Sequence, residues 1–167
     1  MRLGTYGAGL NRLDRRDGAV RRYRHDPVDP ASLRDDVVWA IHRASSGAMW
    51  IGTAAGLCTF DPRTERFRPY DLPLPPGETL QVHVAAIAED PRGRLWLTGG
   101  YGLYRLDPSS GTARLYRPAG GAPGSSWRPA EAVLVQDVET IWIGLASRQP
   151  SRDGHPRRVP GADRVNV

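Results

Sequence analysis

Four histidines, one cysteine and two recurring aspartates are the side chains of this chain that could carry out chemistry. The histidines His25, His42, His83 and His155 are not spaced as metal ligands on one element, and a metal site needs several such ligands held together. We therefore expect no metal site, and we expect His42 and His83 to be structural residues of strands. No serine lies in a nucleophile-elbow pattern, and no glycine-rich phosphate loop occurs.

Cys58 is the only cysteine in the sequence, which excludes an intrachain disulfide and a cysteine-based metal cluster. Its position in an apolar run predicts a buried and inert thiol. Asp61 and Asp107 each precede a proline at the start of a turn. Aspartate in that place accepts hydrogen bonds from backbone N–H groups, so turn formation is favoured over a catalytic carboxylate pair. The sequence thus predicts no catalytic residue and no cofactor.

Both aspartates belong to a unit that recurs along the chain. From Trp50 to Trp96 is 46 residues, and from Trp96 to Trp142 is 46 again. A fixed period of this length, with apolar runs and glycine turns inside it, indicates a repeat architecture. The structural anchors of the repeat are Trp50, Gly52, Gly56, Asp61, Trp96, Gly102, Asp107, Trp142 and Gly144.

Each complete unit is predicted to form four short strands, joined by turns into one antiparallel sheet. The fold class is therefore all-β, with sheets that are the blades of a β-propeller and tryptophans that lie between blades. Closed propellers have ~4–8 blades, so about three blades predict an open arc. The predicted divisions are a second half-blade at 1–24, a linker at 25–36, a complete blade at 37–70, a linker at 71–81, a complete blade at 82–116, a linker at 117–130, a first half-blade at 131–146 and a disordered tail at 147–167.

The net charge of +5 does not indicate a nucleic-acid-binding surface. Residues 1–24 hold seven arginines and two acidic residues, and residues 147–167 hold five arginines and two acidic residues. The excess lies at the two ends rather than on the predicted blades, whereas a nucleic-acid binder concentrates it on a folded face. No apolar run reaches the ~18 residues of a membrane span. Because repeat sequence begins at Met1 without the apolar region of a leader, we expect no signal peptide.

The repeat resembles the two-component-regulator propeller family. The residues that carry the resemblance are Ile41, Gly47-Ala48-Met49-Trp50-Ile51-Gly52-Thr53, Gly56-Leu57 and Phe60-Asp61-Pro62, with the same order repeated further on. Ala44 departs from the pattern, since the family has an aspartate there. The resemblance implies an extracytoplasmic or periplasmic sensor that precedes a histidine kinase or another output domain, and many members respond to oligosaccharides. Because no such domain is present, the chain is expected to be a fragment or a truncated copy.

The leading functional hypothesis is a ligand-sensing module of a bacterial two-component protein, without catalysis of its own. A propeller scaffold for protein–protein contact is the alternative, and a lyase-type propeller enzyme is less favoured. Tyr6 and Tyr101 lie in corresponding turns and are the candidate contacts for an oligosaccharide or another small ligand. Open blades at both ends of an arc predict self-association, because stacked repeats need caps or closure.

Overall fold

The protein is an assembly of short antiparallel strands. A computed structural model describes residues 2–4, 7–79, 83–116 and 130–145, and these residues contain thirteen strands and no helix. The strands are β1 (Arg2–Gly4), β2 (Leu10–Leu13), β3 (Val20–Tyr23), β4 (Val38–Arg43), β5 (Met49–Thr53), β6 (Gly56–Asp61), β7 (Arg66–Tyr70), β8 (Val84–Glu89), β9 (Leu95–Gly99), β10 (Gly102–Asp107), β11 (Thr112–Tyr116), β12 (Ala130–Val135) and β13 (Ile141–Leu145).

The strands form four sheets, which follow one another along the chain. The first sheet has the order β1-β2-β3, the second β4-β5-β6-β7, the third β8-β9-β10-β11 and the fourth β12-β13. Only neighbouring strands in sequence pair within these sheets, so each sheet is a meander. The prediction of four-stranded antiparallel blades in an open, all-β propeller arc is confirmed.

The edge strands β4, β8 and β12 contact one another from sheet to sheet and form the inner side of the arc. The second and third sheets approach so closely that Gly52 of the second sheet lies directly against β8 of the third. A Cβ at Gly52 would stand 2.5 Å from the carbonyl oxygen of Val84. Glycine is therefore required at this point because the two backbones approach one another, and not because of a special backbone angle.

The hydrophobic core lies between sheets rather than within one. One buried cluster joins Leu10 of the first sheet to Ile51 and Phe60 of the second. A second cluster joins Trp50 of the second sheet to residues of the third, of which Leu97 is one. Since both faces of an inner blade are covered, its strands lack a wet face and their apolar residues do not alternate with polar ones.

Trp50 and Trp96 are buried between sheets, as predicted, with relative exposures of 5% and 1%. Each packs on a tyrosine from the fourth strand of its own sheet, with ring centroids 5.7 Å apart for Trp50 and Tyr70 and 5.7 Å for Trp96 and Tyr116. Trp142 does not fit the prediction, because it is 58% exposed. Its sheet has two strands in the described part of the chain, so the tyrosine that would cover it is missing there.

Candidate functional site

A β-bulge marks the inner edge of each of the last three sheets. The register between the first and second strands shifts between Val38 and Ala40 in β4, and the same shift recurs in β8 and β12. A bulged residue is left out of the ladder and re-aims its side chain, and such residues are common beside functional sites. The residues inserted at the three bulges are Trp39, Ala85 and Glu131.

Trp39 is the aromatic member of this set and presents its indole to solvent. The side chain is 51% exposed. Its ring centroid lies 6.3 Å from that of His83, and the two rings are inclined by 48°. His83 directly precedes β8, so the pair brings together neighbouring sheets at the inner edge. An indole with an imidazole beside it offers an apolar face and a polar tip to a ligand, the combination that binding sites use.

Tyr101 lies at the same end of the sheets, in the turn between β9 and β10. The register pairs Val84 with Gly99, which places the start of β8 next to this turn. The Tyr101 ring is half-buried against the core, and its hydroxyl donates a hydrogen bond to Oε2 of Glu78 at 2.9 Å. Its role as a ligand contact stays a prediction, and Tyr6 lies outside the described residues.

The sequence pattern alone does not indicate that Trp39 and His83 form a pair. The repeat pattern predicts His83 in the first strand of its unit, whereas the structure places it just before β8. Trp39 stands where the next two repeats have Ala85 and Glu131, each 46 residues further on. The sequence does carry one signal for the site. At this repeat position a large aromatic residue stands in one unit, and a small or a charged residue stands in the next two. We call Trp39, His83 and Tyr101 the inner-edge site.

The opposite end of the second and third sheets carries a polar cluster that joins them. His42 Nε2 lies 3.2 Å from Oε2 of Glu89. The backbone N–H of Ser45 donates to the same carboxylate at 2.8 Å, and its hydroxyl donates at 2.5 Å. Burial alone would raise the pKa of Glu89, but the hydrogen bonds from Ser45 and His42 hold it below the ordinary value. The Glu89 carboxylate thus links the second and third blades.

Asp61 and Asp107 make the hydrogen bonds of turn formation. Asp61 Oδ1 accepts from the backbone N–H of Arg63 at 2.8 Å, and Asp107 Oδ1 accepts from that of Ser109 at 2.9 Å. The hydrogen bond from the Arg63 backbone N–H is the largest cause that holds the pKa of Asp61 below its usual range. The pKa of Asp107 is also lowered, chiefly by the hydrogen bond from the Ser109 side chain. Both carboxylates are thus engaged in their own turns.

His25 and Cys58 also have structural surroundings. His25 Nδ1 lies 2.8 Å from the carbonyl oxygen of Leu33 in the first connection. Cys58 is fully buried in β6, and burial raises its thiol pKa to about 11. Within the described ranges, no three His, Cys, Asp or Glu side chains are grouped so that they could hold a metal ion. His155 and the rest of the predicted tail at 147–167 lie outside those ranges.

The four sheets are the repeated blades of a propeller arc, and the sequence of the repeat matches a known family. Residues 32–55 match the family described as two component regulator propeller. The predicted resemblance is thereby confirmed. No curated protein gave a match. The described residues hold no helix with the length and hydropathy needed to span a bilayer.

Solved structures with the same fold include extracellular domains of two-component systems. The extracellular domain of BT3049 from B. thetaiotaomicron, described as a hybrid two component system, is 24% identical with a TM-score of 0.64 over 86% of this chain and 17% of that one. That of BT4673, from the same organism, is 16% identical with a TM-score of 0.68 over 89% of this chain and 20% of that one. This chain therefore spans about a fifth or less of these structures.

An enzyme shares the architecture as well. The virginiamycin B lyase from Staphylococcus aureus is 15% identical, with a TM-score of 0.57 over 83% of this chain and 42% of that one. At such identities the likeness concerns the propeller fold alone.

Proposed function

We propose that this chain is part of the ligand-sensing propeller of a bacterial two-component signalling protein. The observation that carries the proposal is the family match at residues 32–55 in a chain whose blades repeat around it. Extracellular domains of two-component systems among the structural neighbours support an extracytoplasmic position. The proposed output is a histidine kinase or another effector domain.

The inner-edge site is where the proposal places ligand binding. Trp39 offers a flat apolar ring, His83 offers an imidazole nitrogen, and Tyr101 with its bond to Glu78 borders the same end of the sheets. A flat ring with hydrogen-bonding groups at its margin suits an oligosaccharide or another small ligand with one apolar face. Because Trp39 belongs to β4 and His83 precedes β8, a ligand held by both would link the second and third blades.

The proposal includes no catalysis by this chain. Supporting it, His42 lies with Glu89 at the opposite end of the sheets from the inner-edge site, and His25 lies against a backbone carbonyl in the first connection, so these imidazoles do not converge with His83 on one ligand. His83 lies beside Trp39 in the inner-edge site, where it is assigned to binding. A lyase-type activity would need several such groups converging on one ligand from different blades.

Calorimetric titration with a panel of neutral and acidic oligosaccharides tests the proposal, with tryptophan fluorescence as a second signal. We expect at least one saccharide to bind the chain and the Trp39→Ala variant to bind it about tenfold more weakly or worse. Trp142→Ala is the matched control, because that indole is similarly exposed but lies in the fourth sheet. Equal affinity in Trp39→Ala and the parent chain, or no binding across the panel, would refute the assignment.

A further inference from the structure

The turn before the last strand of each of the first three sheets contains a residue with left-handed backbone angles. In the first and third sheets this residue is a glycine, Gly18 with φ 74° and Gly111 with φ 67°. In the second sheet it is Glu65, with φ 58°. The three turns are equivalent, because in each of them the backbone N–H of this residue donates to the carbonyl oxygen of the aspartate that opens the turn.

Glutamate is a costly choice at this position. An added Cβ at Gly18 or Gly111 would meet no atom within 4 Å, so glycine is used there for its backbone angle and not for lack of space. Among the described residues, Glu65 is the only residue other than glycine with a positive φ. A residue held in such a conformation is stabilised by its surroundings, and its side chain is the place to look for the reason.

The Glu65 side chain reaches across to the first sheet. Its carboxylate is paired with the guanidinium of Arg21 in β3 and with that of Arg12 in β2, where Nη1 lies 3.4 Å from Oε1. The Tyr23 hydroxyl donates a hydrogen bond to the same Oε1 at 2.9 Å. All of these partners belong to the first sheet, so the carboxylate links two sheets and does not cap its own turn.

The two arginines need a counter-charge. Arg12 and Arg21 stand directly opposite one another on β2 and β3, and like charges at opposite positions destabilise a strand pair. Glu65 contacts both guanidinium groups and therefore relieves a repulsion inside the first sheet. Its side chain is only 19% exposed, and shielding from water makes these contacts stronger than those of a fully exposed ion pair.

The next junction between sheets shows what is special about this one. Tyr70 stands where Tyr23 stands in the first sheet, and its hydroxyl donates to the carbonyl oxygen of Gly111 at 2.7 Å. At both junctions, a tyrosine of the last strand thus bonds to the left-handed residue of the following sheet. Only at the first junction does that residue supply a carboxylate, and only there do two arginines face it.

We propose that Glu65 is an ionic latch that holds the first sheet in place on the second. If the junction opens, the turn keeps its backbone strain while Arg12 and Arg21 regain their repulsion, so the open form is disfavoured on both sides. The third sheet has Gly111 at the latch position and offers these arginines no carboxylate. The latch therefore also selects the second sheet over the similar third sheet as the partner of the first.

Hydrogen exchange measured strand by strand tests the latch. Glu65→Gln keeps the length of the side chain and the strain of the turn but removes the charge. We expect the amides of β2 and β3 to exchange about tenfold faster in this variant than in the parent chain, because charged hydrogen bonds are lost from the junction. The amides of β9 and β10 in the third sheet should be unaffected. Glu139→Gln is the matched control, since Glu139 is exposed in the turn between β12 and β13.

Two further variants separate the latch from a local effect on the turn. Glu65→Gly relieves the strain, so a residue that serves only its own turn would give slower exchange in β2 and β3, whereas loss of the latch gives faster exchange. In a chain that already carries Arg12→Gln and Arg21→Gln, adding Glu65→Gln should change the exchange by less than about twofold. Unchanged or slower exchange in Glu65→Gly would overturn the proposal, and so would an equal effect of Glu65→Gln with and without the two arginines.

Discussion

The indole Nε1 of Trp96 donates a hydrogen bond to Oδ2 of Asp90 at a distance of 3.2 Å. The same carboxylate accepts from Nε of Arg94 at 2.7 Å and from the backbone N–H groups of Arg92 and Arg94. Asp90 is only 4% exposed. One side chain therefore fixes the turn between β8 and β9 and also satisfies the polar atom of the tryptophan buried between blades.

Replacement of Asp90 by alanine should destabilise the fold strongly. The change leaves the Trp96 N–H and the Arg94 guanidinium without their buried acceptor, and breaking a buried pair in this way costs about 3 kcal/mol. Urea unfolding followed by tryptophan fluorescence measures the loss. Asp61→Ala is the control, since Asp61 caps an exposed turn and should matter much less. Equal losses in the two variants would contradict the role given to Asp90.

Asp90 should also make stability depend on pH in the acid range. Burial alone would raise the pKa of Asp90, but the hydrogen bonds from Arg94 and Trp96 hold it below the ordinary value. A carboxyl group whose pKa is lowered by folding stabilises the fold above its unfolded pKa of about 3.9, and this stabilisation is lost as the pH falls through the lower folded pKa. Asp90→Asn should therefore lose less stability than the parent chain between pH 5 and pH 2, as measured by urea unfolding. A parallel decline would show that Asp90 is not the group responsible.

Ala44 occupies the position of Asp90 in the preceding repeat, and the consequence is visible at Trp50. Trp50 Nε1 is buried and has no hydrogen-bond partner among the described residues. Ala44→Asn supplies an acceptor at that position without adding charge near Glu89. We expect it to raise the free energy of unfolding by about 1 kcal/mol, because an unsatisfied buried N–H is then paired. Ala44→Val adds volume without an acceptor, and it should not stabilise the protein. If both substitutions have the same effect, hydrogen bonding is not the cause.

Gly52 should tolerate no side chain. A Cβ there would stand 2.5 Å from the Val84 carbonyl oxygen of the next sheet, so Gly52→Ala must push the blades apart and cost about 2 kcal/mol. Gly144 is the same position of the repeat in the fourth sheet, where the nearest atom to an added Cβ is Ala132 Cβ at 3.1 Å. Gly144→Ala should therefore cost less in thermal unfolding. The reverse order would mean that contact between blades does not set the requirement.

Much of the architecture could be predicted from the spacing of Trp50, Trp96 and Trp142, because a repeat that places apolar residues at fixed intervals folds into the same strands each time. The exposure of Trp142 could not be predicted in the same way. Its cover depends on a tyrosine two strands further along the blade, and a local pattern does not reveal whether that partner is present.

The candidate site was predicted less well than the fold. Trp39 lies in an apolar run from Val37 to His42, and nothing in a single strand reveals a register shift against its neighbour. The departure at Ala44 was visible in the sequence, but its cost became clear only from the hydrogen bond that Asp90 makes to Trp96. In the first case the missing information was the pairing of two strands, and in the second it was a side-chain hydrogen bond across a turn.

Because of the bulge that recurs in β4, β8 and β12, the residue that faces the inner edge is not one of the residues that maintain strand pairing and core packing. Residues in the ladder must preserve pairing and core packing, whereas Trp39, Ala85 and Glu131 are left out of it. Each of these three sheets thus contributes one side chain to the inner edge that can vary at little cost to folding. Duplication and shuffling of whole blades would therefore generate new combinations of these side chains, so that an array of such repeats can acquire new specificities while its scaffold is inherited unchanged.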